Sequence, residues 1–119
     1  MIYSVLADFR AKQLSVQVEK RLKQMQEKHP VIGEVRGAGL FWGVELVKDR
    51  KTKAKAAKEA VDVCVKSGDK GLSIIISGKT GFGNVLNIKP PMTIGEDLLE
   101  KGLDILDTVL GEVERDMRP

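Results

Sequence analysis

The sequence predicts an α+β domain in which a mostly antiparallel sheet of about four strands carries its helices on one face, in the order α-β-β-α-β-β-α. Three observations predict it. Apolar residues recur at helical spacing in three separated segments, alternating or β-branched runs fill the stretches between them, and glycine or proline marks each change of period. A chain of 119 residues, 42% hydrophobic and 31% charged, amounts to one globular domain. At that size roughly two-thirds of the unfolded surface is buried on folding, so a core forms without disulfides or metals.

The first helix is marked by Leu14, Val18, Leu22 and Met25, spaced at four, four and three residues. Gln17, Glu19, Lys20, Lys23, Gln24 and Glu27 lie between them and face water. The predicted span is Asp8 to Lys28, because Pro30 disfavours helical geometry at His29. Val31 to Arg36 then reads as an extended segment. The glycines Gly37 and Gly39 turn the chain into a second strand from Leu40 to Val47. Alternation puts Leu40, Trp42, Val44 and Leu46 on one face, and Phe41, Gly43, Glu45 and Val47 on the other. Gly43 has a structural reading, as a glycine in a strand admits a closely packed neighbour.

A second helix is expected over Ala54 to Lys66, with Ala57, Ala60, Val61, Cys64 and Val65 as its inner stripe and Ser67-Gly68-Asp69 as its end. Leu72 to Ile76 and Asn84 to Ile88 form a hairpin around the glycine-punctuated loop Gly78 to Gly83. After Pro90-Pro91, Thr93 and Glu96 have capping-box spacing for the last helix. Leu99, Leu103, Leu106, Leu110, Val113 and Met117 run along that helix as a narrow seam. Gly95, Gly102 and Gly111 weaken it, each by roughly 1 kcal/mol relative to alanine.

Several chemistries are excluded by spacing. Gly78-Lys79-Thr80 lacks the upstream glycine and the following helix of a phosphate-binding loop, since Ser73 stands where that glycine belongs. Gly37-x-Gly39 is followed by a strand and by Trp42 in place of a third glycine, so it is no dinucleotide fingerprint. One histidine and one cysteine cannot close a zinc site or supply a hydrolytic triad. His29 reads as a cation near a helix C-terminus, and Cys64 as a small core residue.

The net charge of +3 is concentrated in Lys48, Arg50, Lys51, Lys53, Lys55 and Lys58, opposed only by Asp49. Attraction to phosphate needs no more than such a cluster. With 4% aromatic residues and no nucleic-acid-binding motif, a solvated loop is the better reading, and no nucleic-acid partner is expected. The lone cysteine, the absence of a signal-like start and of a ~20-residue apolar run make a cytoplasmic chain with no membrane partner the expectation.

Two segments carry a resemblance. HPVIGEVRGAGLFWGVELVKDR is similar to the small-domain signature of class III aminotransferases, with Val-Arg-Gly-x-Gly-Leu at Val35 to Leu40 and Gly-Val-Glu-Leu at Gly43 to Leu46. GKTGFGNVLNIKPPMTIGEDLLEKGLDIL, from Gly78 to Leu106, resembles that family's loop, strand, Pro-Pro and C-terminal helix. The alanine–glyoxylate aminotransferase-like branch looks most similar, through GFGNVLNIKPPM.

The resemblance implies a C-terminal small domain of an enzyme that moves an amino group from an amine or amino acid to a keto acid, through a Schiff base on pyridoxal phosphate. That chemistry needs a lysine, an acid on the pyridine nitrogen and a phosphate cradle. In the family these lie in a large domain. The expectation is therefore that the large domain is missing here, that no catalytic or cofactor-binding residue is present, and that this chain alone binds no pyridoxal phosphate.

The small domain contributes a wall of the substrate pocket, where many members grip the substrate carboxylate with an arginine before Pro-Pro. Here Asn87 occupies that position, and a neutral amide loses most of a bidentate charge-assisted contact. Asn87, Lys79 and Arg36 are the candidate substrate-binding residues, with Lys89 another replacement cation. Against that stand ordinary readings: Asn87 as a strand residue, Lys79 as solvated, and Arg36 as tying the hairpin to neighbouring backbone. Two other functions stay open, a stand-alone small-molecule-binding or dimerisation module and an anion-binding basic protein. An apolar surface that once met a large domain also predicts a homo-oligomer, with Met1 to Phe9 as the contact.

Overall fold

The alternation of helical and two-residue periods sorts into three helices and four strands in a computed structural model that describes residues 2–77, 83–91 and 93–117, the backbone alone at 2–8 and 77. Helix α1 (Ile2–Lys28) buries Leu14, Val18, Leu22 and Met25, each at most 1% exposed. It begins at Ile2 rather than Asp8. Nothing in the first residues breaks a helix, but the buried stripe starts only at Leu14, so periodicity carries no mark of the earlier turns. At its other end the His29 amide bonds the Met25 carbonyl at 2.7 Å. Arg50 then caps the helix, donating to the carbonyls of Gln26, His29 and Ile32. The Gln26 carbonyl has no partner within the helix, and a guanidinium supplies several donors at once. Arg50 is thus structural, while the lysines at positions 48, 51, 53, 55 and 58 stay exposed.

Strands β1 (Ile32–Ala38) and β2 (Phe41–Leu46) form the first hairpin, with an irregularity between Ile32 and Val35. The turn is held by close packing. The Trp42 indole donates to the Gly39 carbonyl at 2.8 Å, and its ring lies so near Gly37 that a Cβ there would sit 2.3 Å from it. Strands β3 (Ile75–Ser77) and β4 (Val85–Ile88) form the second hairpin, and β4 pairs with β2. Every pairing is antiparallel and the sheet order is β1-β2-β4-β3.

Val35, Val44 and Leu86 stand opposite one another across three strands and are 0–7% exposed. They join Trp42 and Leu46 in one cluster with the helix residues, so the helices lie on a single face, as the sequence predicts. Val47 departs from its strand's alternation. It is buried because it sits over Gly33, bonds the Val31 carbonyl and bridges to Lys55. Strand β3 is shorter than expected, since the Leu72 amide is taken by the preceding helix cap.

That cap closes helix α2 (Ala57–Asp69). The amides of Gly71 and Leu72 bond the carbonyls of Gly68 and Ser67, and Gly71 holds φ +96°, the left-handed conformation this cap requires. Of the expected inner stripe of α2, Ala60 is buried, but Val61 is 50% and Val65 58% exposed and Cys64 is half-buried; Val63 and Ser67 are buried instead. Two overlapping apolar stripes share this helix, and only docking on α3 selects between them.

Helix α3 (Glu96–Met117) buries Leu99, Leu103, Leu106, Leu110 and Val113 as predicted, and adds Val109. It begins at Glu96, so Thr93 is no N-cap. The Ile94 amide bonds the Pro91 carbonyl, and the Ile94 carbonyl accepts from Arg10. A polar seam joins α1 to α3: Arg21 bonds Glu100 and Asp104, and Gln17 bonds Glu100 at 2.9 Å. No helix among the described residues is long and apolar enough to cross a membrane.

Candidate functional site

The face of the sheet turned away from the helices brings the distant sequence segments together. Antiparallel register places Arg36 opposite Gly43, Gly43 opposite Asn87, and Asn87 opposite Ile75. These four residues form one row across β1, β2, β4 and β3. At a strand spacing of about 4.8 Å, Arg36 and Asn87 stand about 9–10 Å apart along the backbone. Between them Gly43 contributes no side chain, leaving a shallow saddle whose near wall is the Val85 methyl, 3.2 Å from where a Cβ would be. Two of the three sequence candidates thus share a surface. Lys79 lies outside the described residues.

Arg36 does not tie the hairpin to neighbouring backbone. Its guanidinium meets the Glu34 carboxylate at 2.5 Å, with side-chain exposures of 74% and 52%. Residues two apart on a strand share a face, so this pair was open to them. The hydrogen bond and charge of Glu34, with a smaller contribution from Glu45, hold the guanidinium pKa above its ordinary value. Exposure keeps the pair weak and exchangeable. Asn87 is half-buried.

Around this row stand residues that single-strand reasoning leaves unconnected. Phe41 is 53% exposed, and the Lys89 ammonium lies 5.9 Å from its ring centroid, within reach of a cation–π attraction. Ile75 is 70% exposed. Alternation alone assigns Phe41 and Glu45 to the side of Gly43; no local signal tells that β4 will lie beside β2 and bring Asn87 and Lys89 there. Asn84 anchors that pairing. Its buried amide donates to the Leu46 carbonyl at 2.9 Å while its own carbonyl accepts from the Leu46 amide at 2.7 Å.

Asn87 also borders a cavity of about 440 Å³ between α3, the 70–74 segment and the 87–91 segment. Leucine, isoleucine and proline dominate its lining, and Lys70, Lys89 and Lys101 are its charged members, with no aspartate or glutamate. Lys70 is drawn off toward Glu112 at 3.5 Å.

Pyridoxal phosphate needs an amine held out of water for its Schiff base and a carboxylate against its pyridine nitrogen. No lysine among the described residues is buried, and the cavity beside Asn87 offers no carboxylate. The described residues do not fit that cofactor. No three or more His, Cys, Asp or Glu side chains among them are arranged so that they could hold a metal ion.

Residues 6–110 match the family description "Aminotransferase class-III". The chain is 44% identical over 105 residues to the leucine/methionine racemase of Thermococcus litoralis, covering 88% of this chain and 23% of that protein. It is 44% identical over 81 residues to the mitochondrial alanine–glyoxylate aminotransferase 2 homolog 2 of Arabidopsis thaliana, covering 67% of this chain and 16% of that protein. Among solved structures, the taurine:2-oxoglutarate aminotransferase of Bifidobacterium kashiwanohense, in complex with PLP and glutamate, superposes with a TM-score of 0.84 at 28% identity, covering 97% of this chain and 26% of that one. Fold, register and sequence therefore agree that the chain belongs to the class III aminotransferase family, and it spans about a quarter or less of the length of the relatives it matches.

Proposed function

We propose that the chain is the C-terminal small domain of a pyridoxal-phosphate-dependent enzyme of this family, and that its open sheet face forms one wall of the substrate pocket once a large domain covers it. The single observation that carries this reading is the bare face itself. A sheet that buries Val35, Val44 and Leu86 on one side presents Arg36, Phe41, Asn87 and Ile75 on the other, where Arg36, Phe41 and Ile75 stay 53–74% exposed. The large domain supplies the Schiff-base lysine, the pyridine partner and the phosphate cradle. Alone, the chain binds no cofactor and is not a transaminase.

On this reading Asn87 faces the substrate with an amide, and Arg36, Lys89 and Lys79 are the cations available to an anionic group. The reaction is amino-group transfer from an amine or amino acid to a keto acid. A second reading, amino-acid racemisation, is favoured by the 44% identity to a leucine/methionine racemase and by the apolar Phe41 and Ile75 beside Asn87. The protein is cytoplasmic and assembles as a homo-oligomer.

The test joins this chain to the large domain of a class III relative, in place of that relative's matching segment. The expected result is a Schiff-base absorption band in the chimera and none in the chain alone, with Asn87→Arg changing KM among substrates that differ in carboxylate content. A band in the chain alone, or an active chimera indifferent to changes at both Asn87 and Arg36, defeats the reading. Separate measurement of product amine and of product chirality decides between transfer and racemisation.

A further inference from the structure

Where α1 hands over to β1, the single histidine of the sequence is almost wholly enclosed, at 3% exposure. Its Nδ1 lies 2.5 Å from Glu114 Oε1 and its Nε2 2.5 Å from Asp107 Oδ1. Those acids are seven residues apart on α3, two helical turns, and so share one face. Gly111 lies between them; a Cβ there would come 3.8 Å from His29 Cε1, so the ring rests over a position without a side chain. Glu114 also accepts from the Val31 amide at 3.2 Å, which draws the start of β1 into the same group.

A neutral imidazole has one N–H and one bare nitrogen, whereas the imidazolium donates from both. With a carboxylate at each nitrogen, the neutral ring would set a lone pair against an acceptor; the charged ring satisfies both. The other charges here are Lys28, 3.3 Å from Asp107, Arg50, bonded to the His29 carbonyl, and Lys48, which lines the same shallow depression as Glu114. We propose that His29, Asp107 and Glu114 form a proton-dependent clasp that fastens the C-terminal end of α3 to the α1–β1 corner and loosens when the imidazole loses a proton.

Burial alone would raise the Asp107 carboxyl, yet the hydrogen bond from His29, helped by Lys28, holds it below the usual carboxylate range. A carboxylate held low contributes above its unfolded value and loses that contribution as pH falls through its folded one.

Because the chain has one histidine, its ring signals are unambiguous. The expected 15N–1H spectrum of the chain at pH 6 shows two ring N–H protons, slow to exchange, which disappear as pH is raised. Thermal melts are expected to fall as pH is raised from 6 to 9 in the wild type and to stay level in His29→Gln. A single ring N–H at pH 6, or the same fall in His29→Gln as in the wild type, overturns the clasp. If His29→Gln does not fold, the ring spectrum of the wild type decides by itself.

Discussion

The two faces of the sheet are made from the same strands, residue by residue in alternation, yet they obey different rules. On the covered face Val35, Val44 and Leu86 line up as an apolar row within one hydrophobic cluster. One residue further along each strand, Arg36, Gly43 and Asn87 line up as a row with charge, a gap and an amide. The first row lies within the packed core; the second stays outside it. A one-residue slip of register would exchange them, so the pairing that builds the core also builds the candidate site.

The sharpest way to break the comparison is on the covered face. Leu86→Ala, at a fully buried position, is expected to cost about 2–5 kcal/mol, read as a shift in the urea midpoint. A cost no larger than that of a surface change would mean the face is not a packed core. Next comes the hairpin: Gly37→Ala drives a methyl into the Trp42 ring and is expected to cost about 1–3 kcal/mol, with altered Trp42 fluorescence as the second readout. Asn84→Ala leaves the Leu46 carbonyl without its side-chain donor and is expected to cost about 1–3 kcal/mol in the same measurement. On the open face, Arg36→Ala and Asn87→Ala are expected to leave the midpoint where it is. A strong loss at either would make the open row part of the scaffold.

The exposed and buried ion pairs sharpen the same contrast. Arg36–Glu34 is solvated at both ends, and added salt is expected to leave stability unchanged in its absence or presence. The His29 cluster is enclosed, with side-chain exposures of 4% for His29, 24% for Asp107 and 16% for Glu114, so salt screens it far less. Sequence treats the two alike, because an arginine near a glutamate and a histidine near a helix end are both ordinary local patterns.

Local pattern made much of the fold legible. Leu14 to Met25, Leu99 to Val113 and the alternation from Trp42 to Leu46 are where a strong period coincides with burial, and their faces emerge as expected. Where two patterns overlap, as at Val63 against Val61 and Val65, the chain contains no local reason to prefer one, and contact with α3 decides. Thr93 is no cap because the helix begins at Glu96, its first bond running from the Leu99 amide to the Gly95 carbonyl. Of the candidate site, Asn87 and Arg36 were legible only through resemblance, and their shared row was not.

By itself the sequence determined the element order, the buried faces of α1 and α3 and the family, since each rests on residues close together along the chain. Only the tertiary structure decided the strand order β1-β2-β4-β3, the row from Arg36 to Ile75 and the enclosure of His29 between Asp107 and Glu114. Those are contacts across long loops, and their free energy comes from closing the chain on itself, which no short window of residues can express.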